Sequence, residues 1–495
     1  MVSSEQRVGA DIDGVGVISI PKEPIGRFFL QKRGVKVAFN KFKGNFCVYY
    51  AKINSIMLVQ FRLRNYKTFK EEAKLSLMPS KYFKERDDDN LIDVPRFGMQ
   101  LLKSAVIYGA NASGKTKLVE AMVFMKKFIV NSSKDTQKGD PIDVQPFRLS
   151  TETENEPSEF EVIFIHEEEM FRYGFEVTKD KVVAEWLFHK ERVKEVELFY
   201  REEQTIEVHR NFKVGDMLSK ENLVRENALL LSVAAQFNDT KAGKIFDWLD
   251  KFKALPGLNE DGYRGYTMSR THDQDVKEQI LKMIKHADIG IEDLKVEQSD
   301  LDEFSKVVPD ELRKMFVKTF KDKKNTFYTD VLTTHKKYDI NNQFVEFEQF
   351  SMGREESSGT QKFYALTVPI LETLASGNTM VVDELDSKLH PNLVSKLVEI
   401  FNSREHNPLN AQLIFNTHDT NLLSYGSFRR DQIWFTEKDR FGAAKLYSLS
   451  DIKKIREKDP IEENYILGKY GGVPNLGDFN MRIFNQKLPA YENEK

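Results

Sequence analysis

The chain has 495 residues, with 74 Lys+Arg against 77 Asp+Glu and a formal net charge of −3. That length exceeds one compact core, so two or three lobes are expected; the charge balance excludes a uniformly basic nucleic-acid binder but leaves a local basic groove open. A single cysteine, Cys47, excludes disulfide frameworks and cysteine-rich zinc sites. No apolar run approaches the roughly 20 residues needed to cross a bilayer, and the N-terminus lacks a continuous signal-peptide core, so a soluble cytoplasmic protein with no membrane partner is expected.

Residues 1–56 carry only short apolar pieces and no capped helix. They are expected to be an N-terminal extension that is either non-native, with Met57 as the native initiator, or poorly packed and poorly ordered. Residues 57–69 (MLVQFRLRNYKTF) then read as a strand and its turn, 70–77 as a second strand, and 80–100 as a charged surface stretch around Asp87, Asp88 and Asp89.

Residues 105–122 (AVIYGANASGKTKLVEAM) read as a buried strand, a glycine-rich loop and an amphipathic helix with Leu118, Val119 and Met122 on its apolar side. Residues 109–116 fit G-x-x-x-x-G-K-[ST] in the flanking context the pattern needs. Such a loop wraps backbone N–H groups around phosphates at the positive end of a helix. The expected ATP-binding set is Gly109, Asn111, Ser113, Gly114, Lys115 and Thr116, with Lys115 on the β- and γ-phosphates and the Thr116 hydroxyl on Mg²⁺.

After a Pro-punctuated connection at 141–149, runs at 158–166, 170–177, 182–189 and 195–201 predict an antiparallel meander, so that 57–215 forms one ATPase lobe. Residues 216–335 are expected to be a helical insertion, with helix-like spacing at 221–237, 245–252, 275–287 and 309–320, and without sustained heptads. Its lysines Lys314, Lys318, Lys321, Lys323 and Lys324 are read as a solvated face, with nucleic-acid contact as the alternative. Residues 336–495 are expected to form the second ATPase lobe.

That lobe supplies the carboxylates. Residues 379–384 (TMVVDE) are an apolar strand expected beside Val106, ending in Asp383 for the Mg²⁺ shell and Glu384 to orient and polarise the attacking water. Asp386 is a candidate bridge to a second subunit, and His390 with Pro391 is read as a helix start. Residues 411–417 (AQLIFNT) are another buried strand, with His418 at its end as a γ-phosphate sensor. Residues 355–366 (EESSGTQKFYAL) place serine and glycine at a helix start, a generic anion site.

This set resembles the ATP-binding-cassette ATPases in their SMC/RecF-like branch. Ser358-Gly359-Thr360-Gln361-Lys362 resembles the signature S-G-G-[QE]-[KR], with Thr360 in place of a glycine; alternatively, residues 356–360 resemble the E-S-x-G-T signature of AAA-type ATPases of the abortive-infection and overcoming-lysogenization-defect group. The two registers leave open whether Ser357 or Ser358 faces the γ-phosphate. NYKTF (65–69) is similar to the strand turn that opens these ATPases, Gln145 stands where a Q-loop residue would, and LGKYGGVP (467–474) is similar to a closing segment of bacterial defence-associated members.

The resemblance implies an α/β P-loop NTPase of ABC-ATPase type with a β meander and a helical insertion. It also implies that ATP is sandwiched between the phosphate loop of one subunit and the signature of another (Ser357, Ser358, Gly359, Gln361), so the chain is expected to be a homo-oligomer, at least an ATP-dependent dimer, using ATP and Mg²⁺. The expected function is an ATPase that regulates a separate effector, such as a toxin encoded nearby, in anti-phage defence. The short stretch after His418 speaks against a fused nuclease domain. The alternatives are a DNA-repair or recombination ATPase clamping nucleic acid and a nucleotide-gated scaffold with little turnover.

Overall fold

The computed structural model describes residues 29–32, 35–42, 45–52, 56–83, 86–257, 260–300, 327–456 and 459–474. The 309–320 run and the five lysines of residues 314–324 lie outside them. The chain divides into a unit of residues 1–54 and a unit of residues 55–495. Within the first, β1 (Phe29–Lys32), β2 (Val35–Phe42) and β3 (Asn45–Lys52) pair as antiparallel neighbours.

The second unit is built on two large sheets. β4 (Met57–Arg64) and β5 (Ala73–Ser76) open it, followed by a small hairpin of β6 (Leu91–Val94) and β7 (Met99–Leu102) and then β8 (Ser104–Gly109). The meander comprises β9 (Ser158–His166), β10 (Glu169–Val177), β11 (Val182–Lys190), β12 (Glu195–Glu202) and β13 (Thr205–Val208). With β4 and β5 these make a seven-stranded antiparallel sheet in the order β13-β12-β11-β10-β9-β4-β5.

The phosphate-loop helix, Lys115–Asn131, packs on this sheet through rings. Phe124 meets Phe160 at 5.0 Å and Phe128 meets Phe175 at 5.4 Å between centroids, which is why these strand positions are fully buried.

The second sheet has the order β14-β18-β19-β8-β20-β21. It joins β14 (Lys253–Leu255), β18 (Thr379–Val382), β19 (Gln412–Asn416), β20 (Ile433–Lys438) and β21 (Ala444–Ser448) to β8, all parallel except β21. Its central strands are buried on both faces, as a parallel sheet requires. The acidic strand does not lie beside Val106. β19 stands between β18 and β8, because parallel neighbours are set by crossover connections and not by sequence proximity.

The stretch read as wholly helical is mixed. It holds helices Lys213–Lys220, Leu230–Gln236, Thr240–Lys251, Asp261–Arg270 and Gln274–His286, but also β14, β15 (Asp293–Asp300) and the start of β16 (Phe327–Tyr338), which pairs with β17 (Phe344–Ser351). The run at 221–237 becomes helical only at Leu230, for a tertiary reason. Buried Arg201 donates to the carbonyls of Ala228 at 2.6 Å and Arg225 at 3.2 Å, and buried Glu185 accepts from the Leu230 and Leu231 N–H groups at 2.7 and 3.0 Å. The carboxylate thus caps the helix from another element.

A charge cluster fastens helix Thr240–Lys251 to the meander. Glu169 accepts from Lys244 at 2.7 Å and Lys241 at 3.0 Å and lies 2.8 Å from His189. Burial raises the Glu169 carboxyl pKa, but hydrogen bonds and charge from the two lysines outweigh it and hold it down to about 2, from a usual 4.5. A depressed carboxylate stabilises the fold fully above its unfolded value and loses that contribution as pH falls toward its folded one. Glu169→Gln is therefore expected to cost about 1–2 kcal/mol at pH 7, an amount reduced by solvent screening. The gap between native and variant should close between about pH 4.5 and 2 in urea titrations; a gap independent of pH would refute the assignment.

Among the described residues, no helix is long and apolar enough to cross a membrane.

Candidate functional site

Three loops leave the ends of the neighbouring strands β8, β19 and β18, and the start of a helix adjoins the third. The first is the phosphate loop. Gly109 is required by close approach, since a Cβ there would run into the Thr436 hydroxyl and Ser113 Oγ. Gly114 caps the helix at φ +118°, a conformation costly for any side chain. Ser113 Oγ and Thr436 Oγ1 lie 2.6 Å apart, locking the loop to β20. Lys115 is buried, its Nζ donating to the carbonyls of Gly109 at 2.7 Å and Ala110 at 3.2 Å. Burial lowers its pKa, and the charges of Glu384, Asp383 and Asp386 oppose that shift. Thr116 is half-buried in the first helical turn, and Asn111 is exposed.

The acidic turn follows β18. Asp383 is buried and its N–H donates to Leu255 O at 3.0 Å, so edge strand β14 sets its place. Glu384 takes φ +50°, left-handed backbone that costs a non-glycine residue about 1–2 kcal/mol. Both of its main-chain polar groups are pinned by side chains. Its N–H donates to Asn416 Oδ1 at 2.5 Å, and its carbonyl accepts from Lys362 Nζ at 2.6 Å. Asn416, the last residue of β19, also donates its amide to Asp383 Oδ1. One buried asparagine therefore fixes both carboxylate residues. The sequence reading missed it, although FNTH placed it one strand end away from His418.

His418 is exposed, and its N–H donates to Asp386 Oδ2 at 3.1 Å. Partial desolvation of the ring and the Lys115 charge lower the imidazole pKa against the pull of Asp386, Glu384 and Asp383. His418 follows β19 and the acidic turn follows its parallel neighbour β18, so the strand pairing and the Asp386 bond set it beside the carboxylates.

The signature-like segment starts helix Ser358–Ser376. Ser357 is the N-cap, its Oγ accepting from the Thr360 N–H at 3.1 Å, and Ser358 is exposed on the first turn. Gln361 turns back to the Glu356 carbonyl at 3.0 Å. Gly359 is needed for close packing, as a Cβ would lie 2.6 Å from Lys388 O. His390 caps the next helix, Pro391–Asn402, accepting from Asn392 N at 3.2 Å.

Gln145 presents an exposed side chain, and its carbonyl accepts from Lys67 N at 2.8 Å. That bond joins it to the NYKTF turn, whose Asn65 is fully buried. Asn65 accepts from Phe147 N at 3.0 Å and donates to Thr153 O and Glu156 O at 2.8 and 2.9 Å. The turn sets Thr68 against Gly114, with its buried hydroxyl lacking a hydrogen-bond partner. Asp386 Oδ1 is likewise buried and unpartnered.

LGKYGGVP stands behind the loop. Tyr465 stacks on Phe435 of β20 at 5.2 Å and donates to Gly472 O at 3.1 Å, and Gly471 and Gly472 take φ +72° and +68°. Through Tyr465, which also packs on Tyr108 at 5.5 Å, the segment is tied to β8 and β20.

The donor set fits Mg²⁺ and a nucleotide. Magnesium takes hard oxygen ligands, which the Thr116 hydroxyl and the Asp383 carboxylate provide. The glycine cradle and the orphaned Thr68 hydroxyl leave polar groups for a phosphate-bearing ligand to satisfy.

A sequence search against curated proteins found no match. Among solved structures, the chain is similar to an Smc head bound to the C-terminal winged-helix domain of ScpA, at 11% identity and TM-score 0.40, over 79% of this chain and 97% of that one. It is also similar to an SMC head domain from Thermotoga maritima, at 11% identity and TM-score 0.35, over 79% and 98%. A third is the Smc head with an extended coiled coil bound to the C-terminal domain of ScpA from Pyrococcus furiosus, at 11% identity and TM-score 0.36, over 84% and 99%. The fold is α/β, a mainly parallel six-stranded sheet carrying the glycine-rich loop beside a seven-stranded antiparallel sheet that holds the meander. Residues 104–216 and 255–424 match the model of the family described as "AAA domain, putative AbiEii toxin, Type IV TA system". That match takes in the phosphate loop, the signature-like segment, the acidic turn and His418, and with more than half of its length inside it the chain belongs to this family of AAA domains.

Proposed function

We propose that the chain binds and hydrolyses ATP, closes on it as a dimer, and through that closure regulates a separate effector protein in an anti-phage or toxin–antitoxin setting. One observation carries the reading. Lys115, Asp383, Glu384 and His418 share one end of a parallel sheet, and one buried residue, Asn416, orders the carboxylates. The family description, with its toxin–antitoxin context, supports the effector.

In this reading Gly109, Asn111, Ser113, Gly114 and Lys115 hold the phosphates. Lys115 exchanges its two loop carbonyls for phosphate oxygens, so its ammonium is desolvated in advance. Thr116 and Asp383 hold Mg²⁺, which when bound neutralises charge on the phosphates. Glu384 orients a water and takes its proton as the water oxygen bonds to the γ-phosphorus and the bond to the bridging oxygen breaks. His418, neutral, donates a hydrogen bond to the terminal phosphate. Gln145, tied through its carbonyl to the Lys67 N–H, is the proposed Q-loop residue.

The exposed start of helix Ser358–Ser376 offers its N-terminus and the Ser358 hydroxyl to the nucleotide of a second copy, with Gly359 and Gln361 shaping the turn. Ser357 serves as the cap. Residues 1–56, 57–215, 216–335 and 336–495 remain our proposed division into extension, ATPase lobes and insertion.

The test is to purify the chain from its native cells with ATP and identify what travels with it. A stoichiometric protein partner on an ATP-dependent dimer is the expected result. Monomer throughout the ATP titration would refute closure, and nuclease-sensitive nucleic acid without a protein partner would replace the effector reading by a nucleic-acid clamp.

A further inference from the structure

Lys362 is fully buried, four residues after the start of its helix, yet it points away from its own signature turn and into the acidic turn. Its Nζ donates to the Glu384 carbonyl at 2.6 Å and to Ser387 Oγ at 3.2 Å. One further contact joins the same elements directly, and a third element bridges them. The Lys388 carbonyl would lie 2.6 Å from a Cβ at Gly359, and the Lys388 ammonium pairs with Glu260 at 2.9 Å, at the start of the helix whose Arg264 reaches Gln361 at 3.4 Å. Glu384 holds a left-handed backbone between two side-chain pins, and Lys362 is the one that comes from the signature helix.

We propose that Lys362 is a positioning residue for Glu384 that joins the signature helix of a chain to that same chain's water-orienting carboxylate. The inference rests on the ATPase-dimer reading above. In such a dimer the signature of one chain serves its partner's nucleotide, whereas Glu384 serves its own. A rigid link between them means that engaging the partner's nucleotide sets the Glu384 turn at the chain's own site. The two sites then turn over together, and hydrolysis depends sigmoidally on ATP. Asn416 alone cannot supply this link, because it belongs to the sheet and holds only the N–H side of Glu384.

The test measures hydrolysis against ATP concentration, with ATP affinity of the isolated chain from equilibrium titration, for the native chain, Lys362→Met, Lys362→Arg and Ser387→Ala. Lys362→Met is expected to lose about tenfold or more in kcat, equivalent to ~1.4 kcal/mol, and to become hyperbolic in ATP. Its ATP affinity should stay within about threefold of native, because the phosphate loop is untouched. Lys362→Arg should recover part of kcat and of the sigmoid shape, which a loss of packing alone would not predict. Half-buried Ser387 tolerates alanine, and Ser387→Ala should lose about threefold in kcat at unchanged affinity.

Native kcat and a native curve in Lys362→Met overturn the proposal. Should that variant not fold, native kcat and curve shape in Ser387→Ala overturn it. A hyperbolic native enzyme overturns the coupling, and a native chain that binds no ATP or does not hydrolyse it defeats the ATPase reading and this inference with it.

Discussion

Glu384→Gln is expected to lower ATP turnover by about 10²–10⁴-fold, the usual contribution of a positioned general base. The geometry explains why the loss should be confined to chemistry. Both pins on Glu384 grip its main chain, so the substitution keeps the turn, the volume and the contacts to Asn416 and Lys362. Removing one carboxylate beside Lys115 also takes away negative charge that would repel phosphate, so ATP affinity should hold or rise. The ATP-loaded dimer should therefore accumulate, visible as a doubled mass by light scattering that persists as long as ATP is present. Native turnover in the variant would remove Glu384 as the base; slow turnover with lost ATP binding would show that it acts in binding instead.

Arg201→Ala is expected to destabilise the chain by about 3–5 kcal/mol, the cost of leaving a buried charge without its partner. Arg201 and Glu185 are both fully buried, 3.6 Å apart, in the meander. The guanidinium also donates to the carbonyls of Glu203, Ala228 and Arg225, and Glu185 takes the Tyr173 hydroxyl at 2.9 Å besides the two N–H groups at the helix start. Removing the arginine takes a donor from three carbonyls and leaves the buried Glu185 carboxylate without its countercharge. The urea midpoint should fall accordingly, and adding Glu185→Gln should recover part of the loss by neutralising the orphaned charge. A midpoint within about 1 kcal/mol of native would mean that water or a neighbour replaces the guanidinium, and that the pair is not what holds the 225–229 loop.

The phosphate loop was legible because its chemistry is local. Glycines, lysine and threonine at fixed spacing between a strand and a helix leave few alternatives, and the structure places Ala105 to Tyr108 in β8 and Leu118, Val119 and Met122 in the buried face. The first four strands of the meander were legible for a similar reason, since each is eight or nine residues long and joined to the next by a charged turn, whereas the four-residue β13 was not read. Helix 221–237 was not. Its apolar spacing is real, but Arg201 and Glu185, from strands earlier in the chain, hold its first half as a loop. β14 was invisible because three residues carry no period; its pairing with β18 alone makes it a strand.

The sequence by itself determined the phosphate loop, the acidic strand end, the glycine helix start and the meander, all set by neighbours within one element. Only the tertiary structure decided that β19 lies between the acidic strand and the phosphate-loop strand, that Asn416 orders both carboxylate residues, and that Lys362 ties the signature helix to Glu384. The reason is physical. Backbone propensity and side-chain period act over a few residues, whereas the cost of burying a polar group is settled by whichever partner the fold brings, from any distance along the chain.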